Sequence, residues 1–144
     1  MQRTFIIIKP DAIERGLVGE IITRLERKGL SVVRMDLRRK KADWCAAHYD
    51  QFDLRKEEGR EIFRRLQQAM IYQPLIGAVI EGEEAIQVVR QLVGATDSLQ
   101  AAPGTIRGDF GTRPIHRNLI HAADSIANAA REEALFFATT TDWD

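Results

Sequence analysis

The chain opens on an unbroken apolar run. Phe5-Ile6-Ile7-Ile8 stands between Thr4 and Lys9 and is stopped by Pro10-Asp11, a pattern that predicts a short buried strand over 4–9. Leu17, Val18, Ile21, Ile22 and Leu25 then recur at helical spacing, and Gly29 supplies a C-terminal stop. From there the period drops to two. Val33, Met35 and Leu37 alternate with Val32, Arg34, Asp36 and Arg38, which predicts a strand with one half-exposed face. Helical spacing returns over roughly 42–52 and again over 57–70, where Ile62, Phe63, Leu66 and Met70 share one stripe. Leu75 to Ile80 reads as a second apolar strand, entered through Pro74 and left through Gly82. Ile86, Val89 and Val93 mark a helix closed by Gly94. From Ala95 to Arg117 no period holds, and a loop that long in a compact domain is functional or disordered. Asn118 to Ala122 predicts a last short strand, and Ile126, Ala130 and Ala134 a last helix.

This order gives two βαβ-like halves over one continuous domain, residues 1–144. It predicts an α/β (α+β) fold, a ferredoxin-like βαββαβ sandwich with a four-stranded antiparallel sheet and helices packed on one of its faces. Such a fold hosts enzymes, RNA binders and small-molecule sensors, so it assigns no function by itself.

Charge narrows the field. Lys+Arg and Asp+Glu both number 21, which argues against a generally basic nucleic-acid binder. The cations are unevenly spread, however, with 16 in residues 1–72 and five in 73–144. No apolar run approaches the ~20 residues of a membrane span. The N-terminus lacks the pattern of a signal peptide, and a single cysteine, Cys45, excludes an intramolecular disulfide. The default compartment is the cytoplasm.

Several motifs carry no chemistry here. No Gly-x4-Gly-Lys-Ser/Thr loop occurs. Asp109-Phe110-Gly111 spells a protein-kinase motif, but in the wrong order relative to His116-Arg117-Asn118 and in too short a chain. Cys45 and His48 lie one helical turn apart, yet no second pair stands at ligand spacing, so amphipathic packing explains them better than a metal. The run Arg34 to Lys41 holds five cations in eight residues; it reads first as a solvated strand end and second as a nucleic-acid patch.

Three cations sit differently. Lys9 ends a strand, Arg90 lies on a helix, and Arg107 stands within Gly104-Thr105-Ile106-Arg107-Gly108-Asp109, in the pattern-free loop. Nearby, His121 lies at the end of a predicted strand and precedes a helix start capped by Asp124 or Ser125. Alone, a histidine there is more often a satisfied structural residue. With the cations it gains another meaning. Neutral imidazole is a competent nucleophile near pH 7. Its attack on phosphorus requires the non-bridging oxygens to be neutralised, which Lys9, Arg90, Arg107 and one Mg²⁺ suffice to do for a nucleoside triphosphate.

These residues stand in blocks that resemble a known family. Ile8-Lys9-Pro10-Asp11, Gly16 to Ile21, His48-Tyr49, Glu81-Gly82, Leu92 to Thr96, Pro103 to Phe110, and Asn118-x-x-His121-x-x-Asp124-Ser125 resemble nucleoside diphosphate kinases in order and approximate spacing, from about Arg3 to Phe137. The resemblance implies a ferredoxin-like subunit that moves a γ-phosphate between nucleotides by a ping-pong route, with low base specificity and Mg²⁺ as cofactor. It implies His121 as the phosphorylated histidine, attacking through Nδ1, and Glu132 as the glutamate that accepts the other ring N–H. It places Lys9, Tyr49, Arg90, Thr96, Arg107 and Asn118 around the triphosphate and sugar, and it leaves the metal to the nucleotide phosphates, without protein ligands. ATP and other nucleoside di- and triphosphates are the implied partners. No nucleic acid or membrane is expected. A homo-oligomer is implied, and the short stretch after Phe137 favours a tetramer.

The departures matter as much. The family's His-Gly-Ser-Asp-Ser reads His121-Ala122-Ala123-Asp124-Ser125 here, and the hydroxyl missing at Ala123 implies slower transfer. Thr96-Asp97-Ser98 replaces Thr-Asn-Pro, which puts loop stability in doubt. About five extra residues lie around Asp53 to Arg60, and the base-stacking position falls on Ile62, with Phe63 beside it. One further residue is inserted between Gly111 and Arg117. Two other readings stand beside the enzyme: a ferredoxin-like RNA-binding module using Arg34–Lys41, and a regulatory oligomer that binds nucleotides without turning them over.

Overall fold

The computed structural model describes residues 1–138. In chain order it has β1 (Gln2–Ile8), α1 (Pro10–Glu14), α2 (Val18–Arg27), β2 (Ser31–Arg39), α3 (Ala42–His48), α4 (Glu57–Met70), β3 (Pro74–Gly82), α5 (Ala85–Val93), α6 (Ile106–Phe110), a 3-10 turn at Ile115–Arg117, β4 (Ile120–Ala122) and α7 (Ile126–Phe137). The four strands pair antiparallel in the order β2-β3-β1-β4. The two apolar strands, β1 and β3, are the central pair.

The expectation of helices on one sheet face is wrong. Phe5, Ile7, Leu75 and Val79 pack with Trp44, Cys45, Met70 and Phe136, from α3, α4 and α7. Ile6, Ile8, Ile76, Ala78 and Ile80 pack on the opposite side with Ile21, Leu25, Val89, Val93 and Ile106, from α2, α5 and α6. The reason lies in β1. Side chains alternate faces along a strand, so an apolar run without alternation must be covered twice. Full burial of each such side chain stabilises the fold by about 1.5–3 kcal/mol.

β2 is the border strand, and Val33, Met35 and Leu37 remain 43%, 47% and 43% exposed, which is the half-exposed face the period-two pattern predicts. The cations that follow are turned onto the end of α7 instead of being solvated. Lys40 is buried with Nζ donating to the Phe136 carbonyl at 2.6 Å, and Arg38 Nη1 donates to the same oxygen at 3.2 Å. The Arg34 guanidinium lies 3.8 Å from the Phe137 ring centre. The reading of this run as a solvated strand end fails at Arg38 and Lys40, whereas Arg34 and Lys41 remain exposed.

α7 comes close to the sheet because β3 carries a glycine there. A Cβ at Gly77 would lie 2.4 Å from Phe136 Cε1. The pattern-free stretch is also less bare than its sequence. Thr105 Oγ1 caps α6 by accepting from Gly108 N at 3.0 Å, and an Asp97–Arg113 ion pair at 2.8 Å spans the loop. That pair supplies a tie where the family's proline is lost. α3 ends at His48, short of the expected 52. Residues 139–144 lie outside the described residues, and so does the tail length that favoured a tetramer.

Candidate functional site

The ends of β1 and β4, the start of α7 and the 95–118 loop enclose a cleft of about 1070 Å³. All nine expected site residues line it: Lys9, Tyr49, Ile62, Arg90, Thr96, Arg107, Asn118, His121 and Glu132. The sheet accounts for part of this convergence. β1 and β4 pair Ile7 with His121, so Lys9, two residues past Ile7, reaches the same end of the sheet.

The cationic end is assembled from buried groups. Lys9 precedes Pro10 and caps α1; its Nζ donates to the His116 carbonyl at 2.7 Å and to Asn118 Oδ1 at 3.1 Å. Asn118 Nδ2 in turn donates to the Thr96 carbonyl at 2.9 Å. Arg107 donates to the carbonyls of Asn118 at 3.2 Å, Gly94 at 3.0 Å, and Ile120. All these acceptors are neutral, and neither cation forms an ion pair with a carboxylate among the described residues. Burial therefore lowers the Lys9 pKa to about 8; the Asp11 carboxylate opposes the shift, and Arg107 and Arg117 add to it. Burial, then Arg90, lowers that of Arg107 to about 10. Two desolvated cations without carboxylate partners are costly unless an anion joins them. Arg90, exposed on α5, reaches the Ala122 carbonyl at 3.4 Å and so stands beside His121.

The backbone between these groups is strained. Leu119 has φ +76°, a conformation that side-chain-bearing residues rarely adopt. It is held on every side: its N–H donates to Asp11 Oδ2 at 3.0 Å, its carbonyl accepts from Lys9 N at 2.9 Å, and Arg107 grips the carbonyls before and after it.

His121 leaves β4 with Nε2 2.6 Å from Glu132 Oε1. Glu132 is buried on α7, whose first turn is fixed by Ser125 Oγ accepting from Asn128 N at 3.1 Å. A carboxylate there takes the Nε2–H and leaves the ring's lone pair on Nδ1. Ala123 is buried beside His121 and offers no hydroxyl.

The remaining wall is apolar and aromatic. Tyr49, Phe52, Ile62 and Leu66 line it. Ile62 is 42% exposed at the cleft, whereas Phe63 packs into the core under α4, so the aliphatic residue is the one presented. Burial raises the Tyr49 hydroxyl pKa far above its usual value. The inserted segment folds against itself: Asp53 Oδ1 accepts from Arg55 N at 3.0 Å, and a Cβ on Gly59 would meet the Asp53 carbonyl at 2.2 Å.

Sequence reasoning missed His48. It is 2% exposed, its ring stacks 5.0 Å from Trp44 and meets His121 edge-on at 4.7 Å, and neither of its nitrogens has a hydrogen-bond partner. Burial lowers its pKa to about 2, with His121 and Arg131 contributing. Its spacing from Cys45 had been noticed, but nothing local indicates that α3 docks against α7. Arg113 and His116 also line the cleft unannounced. Among the described residues, the one cluster with three metal-ligating side chains is His48, His121 and Glu132. The nearby aspartates are engaged elsewhere: Asp124 with Asn128, Asp97 with Arg113, Asp11 with the Leu119 N–H.

The sequence profile described as nucleoside diphosphate kinase matches residues 2–141. A nucleoside diphosphate kinase of Archaeoglobus fulgidus is 47% identical over 138 residues, covering 96% of this chain and 87% of its own. One from Rhodococcus jostii is 48% identical over 137 residues, covering 94% of each. Among solved structures, an apo nucleoside diphosphate kinase from Encephalitozoon cuniculi superposes with a TM-score of 0.87 at 34% identity, covering 96% of this chain and 90% of that one. A transition state mimic of the Borrelia burgdorferi enzyme, with bound vanadate and ADP, gives 0.86 at 36% identity, covering 94% and 86%.

Proposed function

The chain belongs to the nucleoside diphosphate kinase family, an enzyme that moves the γ-phosphate of a nucleoside triphosphate to a nucleoside diphosphate, and from that premise we propose that His121 carries the phosphate between the two. The observation that supports this most is the 2.6 Å approach of Glu132 to His121 Nε2, in a cleft whose buried cations Lys9 and Arg107 have no carboxylate partner. Nδ1 attacks the γ-phosphorus, the bond to the β-phosphate oxygen breaks, and the diphosphate leaves. The nitrogen–phosphorus bond is then broken by a terminal oxygen of a second diphosphate. Glu132 holds the proton on Nε2 throughout. Lys9, Arg90 and Arg107 offset charge on the phosphate oxygens, an effect that typically contributes several kcal/mol when the donors are fixed beforehand.

In the same reading Thr96 and Asn118 hold the phosphate and sugar, with Asn118 already oriented by Lys9. Tyr49 stands with them around the phosphate and sugar, and Ile62 contacts the base through aliphatic surface, which fits low selectivity among bases. The divalent cation is assigned as Mg²⁺. With the aspartates near the cleft already engaged, oxygen ligands for it come from the nucleotide and water, as suits a hard ion. When bound, it would neutralise phosphate charge. The exposed row Val33, Met35 and Leu37 on a border strand supports a homo-oligomer, to be read from the mass in solution.

The test is direct. Protein incubated with γ-labelled ATP and Mg²⁺ acquires an acid-labile, base-stable phosphate that transfers to GDP. A label that persists in His121→Ala would overturn the assignment. Binding of nucleotides without any labelled chain would favour the non-catalytic reading.

A further inference from the structure

His48 is a buried imidazole with neither nitrogen hydrogen-bonded, an arrangement that normally costs about 1–3 kcal/mol per unsatisfied group. It is no part of the phosphate clamp described above. It does stand where two other metal-ligating side chains converge. One donor atom each from His48, His121 and Glu132 lie within 4.8 Å of one another, and all three residues line the cleft, with the His48 nitrogens themselves buried and His121 on the side nearer solvent.

We propose that His48, His121 and Glu132 form a Zn²⁺ site that holds the enzyme in an unphosphorylated, resting state. Two imidazoles and a carboxylate with a fourth position left to water are a donor set that zinc accepts tetrahedrally, at about 2.0–2.2 Å per ligand. Donors around such an ion stand roughly 3.3 Å apart, so the present separation must shrink on binding, and His121, the least buried of the three, is the one to move. The donor chemistry also sorts the metals. Imidazole suits zinc and its neighbours, whereas magnesium prefers carboxylate, phosphate and water oxygens. The resting-state ion and the nucleotide's own cation therefore do not compete for one set of ligands.

The block follows from the ring's two nitrogens. If zinc binds Nε2, it replaces the proton shared with Glu132; that proton moves to Nδ1, whose lone pair is then lost to attack. If zinc binds Nδ1, the nucleophile is occupied outright. Either way the ring cannot accept phosphorus until the ion leaves; a ring phosphorylated on Nδ1 has only Nε2 left to offer, and only by giving up the proton held by Glu132. The block rests on the assignment of His121 as phosphate carrier; zinc binding does not.

The experiment uses the nucleotide-free protein in millimolar Mg²⁺, titrated with Zn²⁺ by calorimetry, with Co²⁺ as a spectroscopic substitute. Expected are one site per chain at micromolar Zn²⁺ or tighter, tetrahedral cobalt bands in the visible, and at least about tenfold weaker binding in His48→Gln. No saturable binding at micromolar Zn²⁺ in the unaltered chain overturns the site, as does binding that folded His48→Gln leaves unchanged. Should His48→Gln fail to fold, the unaltered chain decides. Its isolated phosphoenzyme is expected to bind zinc more weakly than the unphosphorylated chain, and its zinc-loaded form to take label from Mg–ATP slowly until a zinc-selective chelator is added. Labelling at the same rate with and without zinc overturns the block. A chain that is labelled even in His121→Asn overturns the carrier assignment and the block with it, whereas lost zinc binding alone overturns only this site.

Discussion

Glu132 Oε1 lies 2.6 Å from His121 Nε2, the carboxylate buried on α7 and the ring at the end of β4. The contact joins two elements that share no local sequence signal, and it decides which ring nitrogen is free. Replacing Glu132 by Gln keeps the shape and removes the charge that favours a proton at Nε2. A hydrogen bond to a charged group contributes about 1.5–3 kcal/mol, so phosphoenzyme formation in a single turnover should slow by roughly 10- to 100-fold. Nucleotide affinity should change little.

The buried Lys9 should give nucleotide binding a pH limit. With its pKa lowered to about 8 in the free protein, Lys9 loses its charge as pH rises through 8, and KM for a nucleoside triphosphate should climb above that point. Linkage gives the free protein the opposite trend from this group. Between about 8 and the higher pKa of an unfolded lysine, the unfolded chain holds more protons, so Lys9 contributes stability that increases with pH. A Lys9→Gln variant should bind weakly and lose the step near pH 8 in its KM profile.

Arg107 should prove structural and functional at once. Its guanidinium satisfies three buried carbonyls around the strained Leu119. Arg107→Lys retains a charge but cannot match the fork, leaving acceptors that cost about 1–3 kcal/mol each when unpaired. Denaturant unfolding should show a loss of about 2–4 kcal/mol, and kcat should fall more steeply than in Arg90→Lys.

The Asp97–Arg113 pair should behave as a tether with little effect on global stability. Arg113 is largely exposed, so solvent screening leaves the pair little weight in global stability. Asp97→Ala should leave the melting temperature nearly unchanged while amide exchange quickens across 95–105. Equal exchange in both proteins would show that the remaining turns suffice.

A hydroxyl can be returned to position 123. Ala123 is packed into the core two residues after His121, where a serine is tolerated only if its oxygen finds a partner. Ala123→Ser should therefore raise the single-turnover rate several-fold, at a stability cost below about 1 kcal/mol.

The nine cleft residues were legible because their motifs carry family information, and the strands because an apolar run and a period of two are strong local signals. What escaped was settled at long range. The second cover over β1 was implicit in Phe5 to Ile8, since four consecutive apolar side chains cannot share one face. His48 gave no such hint; a histidine on an amphipathic helix looks the same whether it meets solvent, core or another imidazole. α6, at five residues, is too short to show a period, and only the Thr105 cap betrays it.

Gly77 acts as a ruler for proton chemistry some distance away. Its bare Cα lets Phe136 lie against β3, and Glu132 sits one helical turn before that phenylalanine. The gap between carboxylate and imidazole is thus tied to the absence of a methyl group one turn further along the same face of the helix. A single added carbon at 77 touches neither nucleotide nor histidine, yet it would tilt the lever that sets which nitrogen is armed.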